Sequence, residues 1–189
     1  MPRSPENLRA RLQEAALELF REQGYERTTA SEIAARAEVT ERTFFRYFPD
    51  KREVLFEEDP RLQPALEAAI AEAPEALSPL EVMRLALGSI EKLLEENRPF
   101  TEPRLAVIAA SPALWERAEA KSASLVQLLA KGLRQRGVDE RLALLAARTG
   151  IAAFGHAAQS WFEDPSPGLE VRLDQAFCAL RELAGRKKG

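Results

Sequence analysis

Two short helix signals stand side by side near the start of the chain, and their spacing limits the folds that this region can adopt. Thr29 begins a Thr-x-x-Glu sequence that ends at Glu32, which is the pattern of a helix-capping box. The helix that it starts has room for about two turns before residues 38–40 interrupt the apolar pattern. Thr40 then caps a further helix, which ends before Pro49. The sequence therefore predicts two short helices joined by a three-residue turn.

A longer amphipathic helix, predicted over residues 5–23 and ended by Gly24, precedes this pair. Its apolar residues at helical spacing are Leu8, Leu12, Ala15, Ala16, Leu17 and Phe20. Together the three helices form a helix-turn-helix unit, a motif whose second short helix fits the major groove of DNA while the first braces it. The pattern of these three helices therefore favours a DNA-binding fold.

The predicted second short helix has two distinct faces. Phe44 and Phe48 lie one turn apart and are expected to face the core. Arg42, Phe45 and Arg46 share the opposite face, and Thr43 and Tyr47 flank it. Two exposed arginines on a helix are ordinarily a solvated surface. An exposed Phe between them suits a groove-reading surface, because Arg pairs with guanine or phosphate and Phe contacts a thymine methyl group.

The remainder of the chain is also predicted to be helical, with prolines between the helices. Of its 189 residues 46% are hydrophobic and 30% are charged, which is typical of a globular protein, and no strand pattern is visible. Prolines 60, 64, 74 and 79 break up a connecting region. Further helices are predicted at 79–97, 102–110, 112–136, 139–162 and 169–184. Ser111 is predicted to cap the helix 112–136, and Cys178 is predicted to lie on the buried face of the last helix. The predicted fold class is all-α, with domains over residues 1–55 and 56–189.

Composition argues against several other classes of protein. Cys178 and His156 are the only cysteine and histidine, so neither a disulfide nor a Cys/His metal site is expected. There is no Gly-rich phosphate loop and no nucleophile elbow, so we expect neither an enzyme nor a cofactor. No apolar run reaches the roughly 18–20 residues that span a bilayer, and no signal peptide is visible. We expect a cytoplasmic protein without a membrane partner. A protein-interaction module remains a rival, although it would not need the Arg42–Phe45–Arg46 face.

The stretch LFREQGYERTTASEIAARAEVTERTFFRYFPDKREVL, residues 19–55, resembles the N-terminal domain of the TetR/AcrR family of transcriptional regulators. The matching residues are Phe20, Gly24, Tyr25, Thr28, Thr29, Ile33, Ala34, Ala37, Val39, Thr40, Thr43, Tyr47, Phe48, Lys51 and Leu55. The resemblance implies a bacterial homodimer that is nucleoid-associated when bound to DNA. It implies a repressor released from an inverted-repeat operator by a small effector, with helices one to three on the DNA and the remainder forming an effector pocket and a dimer interface.

The resemblance also assigns roles to residues. The DNA-binding residues that it implies are Thr29, Thr40, Arg42, Thr43, Phe45, Arg46, Tyr47 and Lys51. The two cap threonines and Tyr47 would touch phosphate, and Lys51 would reach the DNA backbone from the start of a fourth helix. Where many family members carry Gly in the turn, this chain has Glu38, which predicts a slightly strained backbone there. Phe45 replaces the usual Tyr, and Arg46–Tyr47 replaces a frequent Tyr-His pair.

The predicted C-terminal domain supplies candidates for an effector pocket. They are Met83, Leu87, Phe100, Arg104, Trp115, Leu125, Phe154 and His156. Their apolar character favours a hydrophobic effector, and Arg104 or His156 could anchor a carboxylate or phosphate group. Ordinary core packing is the alternative for the apolar members, and a structural role is the alternative for His156.

The last two predicted helices suggest how two subunits would meet. Small residues around Gly150 permit close helix approach, and an apolar stripe follows the final helix. The predicted interface residues are Ala153, Ala157, Leu169, Leu173, Phe177 and Leu180. Packing within one subunit is the alternative. A dimer is expected because two operator half-sites about 34–36 Å apart need two reading helices on one side of the duplex.

Overall fold

The computed structural model describes residues 5–57 and 59–185, and over these residues the secondary structure is entirely helical. The α-helices are α1 (Pro5–Gln23), α2 (Ala30–Arg36), α3 (Glu41–Tyr47), α4 (Leu62–Glu72), α5 (Pro79–Gly88), α6 (Glu91–Ala109), α7 (Pro112–Gln135), α8 (Glu140–Glu163) and α9 (Leu169–Gly185). A short 3-10 helix, Glu53–Leu55, lies between α3 and α4. The all-α prediction is confirmed. None of the described helices combines the length and the apolar character that a membrane crossing requires.

The contacts between residues divide the chain into two compact units. The first unit contains residues 5–57 together with Pro99–Lys121, and the second contains Asp59–Arg98 together with residues 122–185. Helices α6 and α7 each contribute residues to both units. The first unit therefore contains more of the chain than the predicted 1–55 domain, whose assignment as a functional boundary stays a prediction.

The first unit is built around the apolar face of α1. Leu12 and Phe20 of α1 are buried together with Ile33 of α2 and Phe44 of α3. Val107, Ile108 and Leu114, from the parts of α6 and α7 that belong to this unit, join the same cluster. Arg117 adds an ion pair in which both Nε and Nη2 donate to Glu53, at 2.6 and 2.7 Å. The core side chains of α1 agree with the predicted helical spacing.

The turn between α2 and α3 closes through a Schellman motif. The amide of Val39 donates to the carbonyl of Ala34 at 2.9 Å, and the amide of Glu38 donates to the carbonyl of Ala35 at 3.0 Å. This pattern places the residue after the C-cap in the left-handed region, where Gly is usual. Glu38 occupies that position with a φ of 55°. The strain predicted for Glu38 from the sequence is thus confirmed as a left-handed backbone.

The second unit packs α8 against α5 and α9, with α4 against α5. Its buried cluster includes Met83 of α5, Leu129 of α7, Trp161 of α8 and Leu173 of α9. A Cβ atom added at Gly150 of α8 would lie 3.0 Å from the Cβ atom of Met83. The small residues of α8 therefore allow α5 of the same subunit to approach closely.

Several predicted helix boundaries differ from those of the structure. No α-helix starts at Lys51, and only the 3-10 helix follows it. Helix α4 forms instead in the region that was predicted to connect the two domains. It tolerates Pro64 because the first amides of a helix need no intrahelical acceptor. The predicted helix 79–97 is divided between α5 and α6. Helix α6 continues through Pro99 and Pro103, although each proline removes one backbone donor.

Two smaller expectations also fail. Ser111 was expected to cap α7, but its hydroxyl oxygen is buried and has no hydrogen-bond partner among the described residues. Cys178 was expected on the buried face of the last helix and is exposed on α9.

The left-handed turn makes a specific prediction about stability. Glu38→Gly is expected to have a free energy of unfolding about 1 kcal/mol higher than Glu38→Ala, because Gly adopts positive φ without a steric cost and both variants lack the carboxylate. Chemical denaturation of the two variants measures the difference. At Glu119, an exposed helical position in α7, the order should reverse, since Gly costs about 1 kcal/mol relative to Ala in a helix. Equal stability of the two Glu38 variants would contradict the prediction.

Candidate nucleic-acid interface

The first short helix begins with a complete capping box. The amide of Glu32 donates to Thr29 Oγ1 at 3.2 Å, and the amide of Thr29 donates to Glu32 Oε2 at 2.7 Å. The hydrogen bonds from the backbone and the hydroxyl of Thr29 lower the pKa of the Glu32 carboxyl. Both residues are exposed, so Thr29 lies at the protein surface at the start of α2. The predicted cap is confirmed.

Helix α3 begins with a second threonine cap. The amide of Thr43 donates to Thr40 Oγ1 at 3.2 Å, and the two hydroxyl oxygens are 3.0 Å apart. Thr40 is exposed and Thr43 is partly buried. The two cap residues therefore mark the exposed starts of both short helices.

Aromatic packing fixes the orientation of α3. Phe44 is fully buried, and its ring lies 5.6 Å from that of Phe48 between centroids. The ring of Phe45 meets the Phe44 ring edge-on at 5.4 Å, yet 49% of Phe45 remains exposed. An exposed side chain braced by a buried ring keeps one orientation at a small entropic cost. The predicted separation of the three phenylalanines into two faces is confirmed.

The outer face of α3 carries the predicted base-reading residues. Arg42, Thr43, Phe45 and Arg46 line one open depression. Arg42 is exposed and forms no hydrogen bond or ion pair with the described residues. The guanidinium of Arg46 stacks on the ring of Tyr47, 5.2 Å from its centroid. The face thus combines positive charge with one apolar ring.

Other cations near α3 are engaged within the protein. Arg36 pairs with Glu18 and Glu22, whose hydrogen bonds raise the pKa of its guanidinium above the usual value. Arg9 forms an ion pair with Glu57. Arg11 donates to the carbonyl of Ala37 at 2.6 Å and so holds the turn between the two short helices. The sequence analysis did not identify this role of Arg11 in the turn.

Lys51 lies where a reach toward the DNA backbone was predicted, but its ammonium points into the protein. Nζ donates to the carbonyls of Tyr25 at 2.8 Å and of Thr28 at 2.9 Å. It also lies 4.2 Å from the centroid of the Tyr25 ring. The structure thus brings Lys51 to the connection between α1 and α2.

The eight residues predicted to line an effector pocket are divided between the two units. Met83, Leu87, Leu125 and Phe154 belong to, or pack against, the core of the second unit. Phe100 packs against the core of the first unit, where Arg104 donates to the carbonyl of Leu55 at 2.9 Å. Trp115 and His156 are exposed. Helical spacing placed these side chains on inner faces without showing which core each face meets.

The predicted dimer residues are already in contact within one subunit. Ala153, Ala157, Leu169, Leu173 and Phe177 are buried in the core of the second unit, and Leu180 packs against it. Their apolar surface therefore packs inside the single chain. The exposed face of α8 carries Leu142 and Leu145, and Val171 is exposed on α9. The alternative of internal packing thus describes the six predicted residues.

Metal-ligand groups are a separate question. Among residues 5–57 and 59–185, no three His, Cys, Asp or Glu side chains are grouped so that they could hold a metal ion.

Comparison with known proteins relates the helix-turn-helix to a family. Residues 12–57 match the family described as bacterial regulatory proteins, tetR family. The HTH-type transcriptional regulator TcmR of Streptomyces glaucescens is 43% identical over 75 residues, which make up 40% of this chain. The alignment spans only 33% of the length of that regulator.

Solved structures resemble the chain over most of its length. Thermus thermophilus FadR, a TetR family transcriptional repressor in complex with lauroyl-CoA, is 27% identical, with a TM-score of 0.59 over 96% of this chain and 97% of that one. SmeT, the repressor of the Stenotrophomonas maltophilia multidrug efflux pump SmeDEF, is 22% identical, with a TM-score of 0.59 over 90% and 89% of the two chains.

The segment matched to the family contains α2, the Schellman turn and α3, which are the elements that form the candidate interface. The sequence match, the threonine caps and the outward face of α3 agree with one another. Residues 12–57 of the chain thus carry the helix-turn-helix segment of the tetR family of bacterial regulatory proteins.

Proposed function

We propose that the chain is a cytoplasmic transcriptional repressor that binds an inverted-repeat DNA operator as a homodimer and leaves it when a small hydrophobic effector binds. The outward face of α3 carries this proposal. Arg42 and Arg46 are exposed there beside a braced Phe45, whereas the opposite face of the same helix is fixed by the buried Phe44. A helix in the major groove needs this combination of a fixed axis and free polar ends.

Phosphate contacts fit the starts of the two short helices. Thr29 and Thr40 are exposed at the N-termini of α2 and α3, where the helix dipoles favour an anion. Tyr47 is partly buried beside the guanidinium of Arg46. Contacts of this kind set the register of a protein on the duplex, while Arg42, Phe45 and Arg46 would select the sequence.

The homodimer is supported by exposed apolar residues on the last two helices. Leu145 is 62% exposed and Leu142 is 48% exposed on one face of α8, and Val171 is 47% exposed on α9. Large apolar side chains clustered on an open helix face mark an interaction surface. A second copy of the chain is the partner that a two-fold operator would require.

A hydrophobic effector is supported by the core of the second unit. Met83 and Leu87 are fully buried there, and Leu125 and Phe154 pack against the same core. An apolar ligand would enter among such side chains with few polar groups to desolvate. The complex of Thermus thermophilus FadR with lauroyl-CoA, a thioester with an acyl chain, supports the same class of ligand for this chain.

In vitro selection from a random duplex library, at near-physiological salt, tests the proposed function directly. We expect enrichment of an inverted repeat whose half-sites lie about one helical turn, or a multiple of it, apart. Salt-sensitive binding without any enriched sequence would contradict sequence-specific reading.

Arg42→Ala is expected to weaken binding to the selected operator by about 1–3 kcal/mol, because a bidentate contact with a guanine is lost. Binding to random duplex should change much less. Fluorescence anisotropy on both duplexes measures the two affinities. Lys131→Ala, which removes one exposed positive charge from α7 in the other unit, is the charge-matched control and should leave both affinities near their original values. Equal losses on operator and random DNA would refute base reading by Arg42.

Leu145→Glu is expected to convert the dimer to a monomer at micromolar concentration, because it places a charge in the proposed apolar contact. Size-exclusion chromatography with light scattering measures the mass. Leu105→Glu makes the same chemical change at an exposed position in the other unit and should leave the dimer intact. A monomeric parent protein, or equal dissociation by both variants, would rule out this interface.

A further inference from the structure

We infer that Lys51 positions the DNA-binding helices from inside the protein and does not itself bind phosphate. The relevant geometry is the convergence of the Lys51 ammonium on the backbone between α1 and α2. Because DNA binding by α3 is itself proposed, the inference deepens that proposal and depends on it for its consequence, but not for the contact.

The protons of the ammonium group are all accounted for within the chain. An ammonium has three N–H donors and no acceptor. Two are used in short hydrogen bonds to the carbonyls of Tyr25 and Thr28, and Glu26 accepts a longer one at 3.4 Å. The Tyr25 ring covers a further side of the group, 4.2 Å from Nζ. A phosphate oxygen would have to displace one of these partners.

The segment that Lys51 holds is the lead-in to α2. Thr28 is 1% exposed, and its hydroxyl donates to the carbonyl of Gly24 at 2.9 Å. The next residue is Thr29, the N-cap of α2. Any displacement of the Tyr25–Thr28 backbone would therefore move the capping box and the start of the helix.

Lys51 also follows the end of α3, and this position explains what the contact holds together. Helix α3 ends at Tyr47, four residues before Lys51. The ammonium thus joins the chain after α3 to the chain before α2, and the helix-turn-helix is closed at both ends. The hydrogen bond from Arg11 to the carbonyl of Ala37 holds the turn in the middle. A closed unit keeps the angle between α2 and α3 while the groove face of α3 stays free.

The charge of Lys51 is felt at the cap as well. Hydrogen bonds from Thr29 are the main reason that the pKa of Glu32 is lowered, and the positive charge of Lys51 acts in the same direction. By contrast, Arg42 is exposed and has no hydrogen-bond or ion-pair partner among the described residues. The two cations thus differ: Lys51 is hydrogen-bonded inside the protein, whereas Arg42 is available to bind DNA.

Lysine suits this contact better than arginine. Its ammonium is a compact point charge whose donors turn toward carbonyls converging from several directions. The planar fork of a guanidinium directs its donors in one plane and suits a phosphate or a carboxylate. Lys51→Arg should consequently preserve a phosphate contact but damage the internal one. Lys51→Met removes the charge and keeps most of the stem.

The test uses the full-length chain and two readouts. Amide hydrogen exchange without DNA should become about tenfold faster or more in Tyr25–Arg36 for Lys51→Met and Lys51→Arg, because local opening no longer breaks bonds to a charged donor. Binding to random duplex should weaken in both variants while the slope of log K against log salt stays that of the parent, since no phosphate contact is lost. Arg42→Met is the matched control: its exchange in Tyr25–Arg36 should be unchanged, and its binding to random duplex should change little.

The opposite results would overturn the inference. A slope that becomes shallower by about one for Lys51→Met and is restored by Lys51→Arg would show a direct phosphate contact, whatever the exchange rates. Unchanged exchange in both variants would show that the contact does not hold the lead-in segment. If the parent protein binds no DNA, the proposed function fails, and exchange alone decides: faster exchange supports the internal contact and unchanged exchange removes it. Should Lys51→Met not fold, Lys51→Arg carries both readouts by itself.

Discussion

The burial of Phe44 against Phe48 and the α1 core determines which way α3 faces, and the candidate interface depends on that orientation. A helix turns by about 100° per residue, so a ring fixed inside at one position sends its neighbour outward. Phe45 is for this reason held at the surface with Arg42 and Arg46 on either side. The threonine caps add the second constraint, since they set where α2 and α3 begin. Because the starts of both short helices and the buried face of α3 are fixed, the outer face of α3 has one orientation.

This part of the molecule could be predicted because its signals are local. A capping box needs two residues three apart, and an inside or outside position on α3 follows from helical spacing alone. The left-handed turn at Glu38 was expected on other grounds, because many members of the family that the sequence resembles carry Gly there, and the Schellman motif requires that conformation one residue past the C-cap. The caps and the faces of α3 rest on residues fewer than five positions apart. Tertiary structure needed only to be compatible with them.

The second unit shows why the rest was less predictable. The pattern around Gly150 predicted close helix approach correctly, but the approaching helix is α5 of the same subunit, through Met83. Helical spacing says that a face is buried and gives no information on what buries it. For the same reason residues predicted to share a pocket, such as Phe100 and Leu125, lie in different cores. Assignments of this kind need contacts between residues far apart in sequence, and a single sequence does not contain them.

Lysine and arginine side chains form hydrogen bonds to the backbone that the sequence patterns did not reveal. Lys51, Arg11 and Arg136 all donate to backbone carbonyls near the ends of helices, and Arg136 reaches four carbonyls after or within the last turn of α4. A basic residue counted as surface charge in the sequence is thus a structural element in the fold. This bears on affinity, because the strength of nonspecific DNA binding follows the number of phosphates that free cations neutralise. With Arg9, Arg11, Arg36 and Lys51 engaged within the first unit, the free positive charge on α3 is concentrated at the residues that are proposed to read bases. A chain of net charge −3 can in this way keep weak affinity for DNA in general and direct the charge that remains toward a chosen sequence.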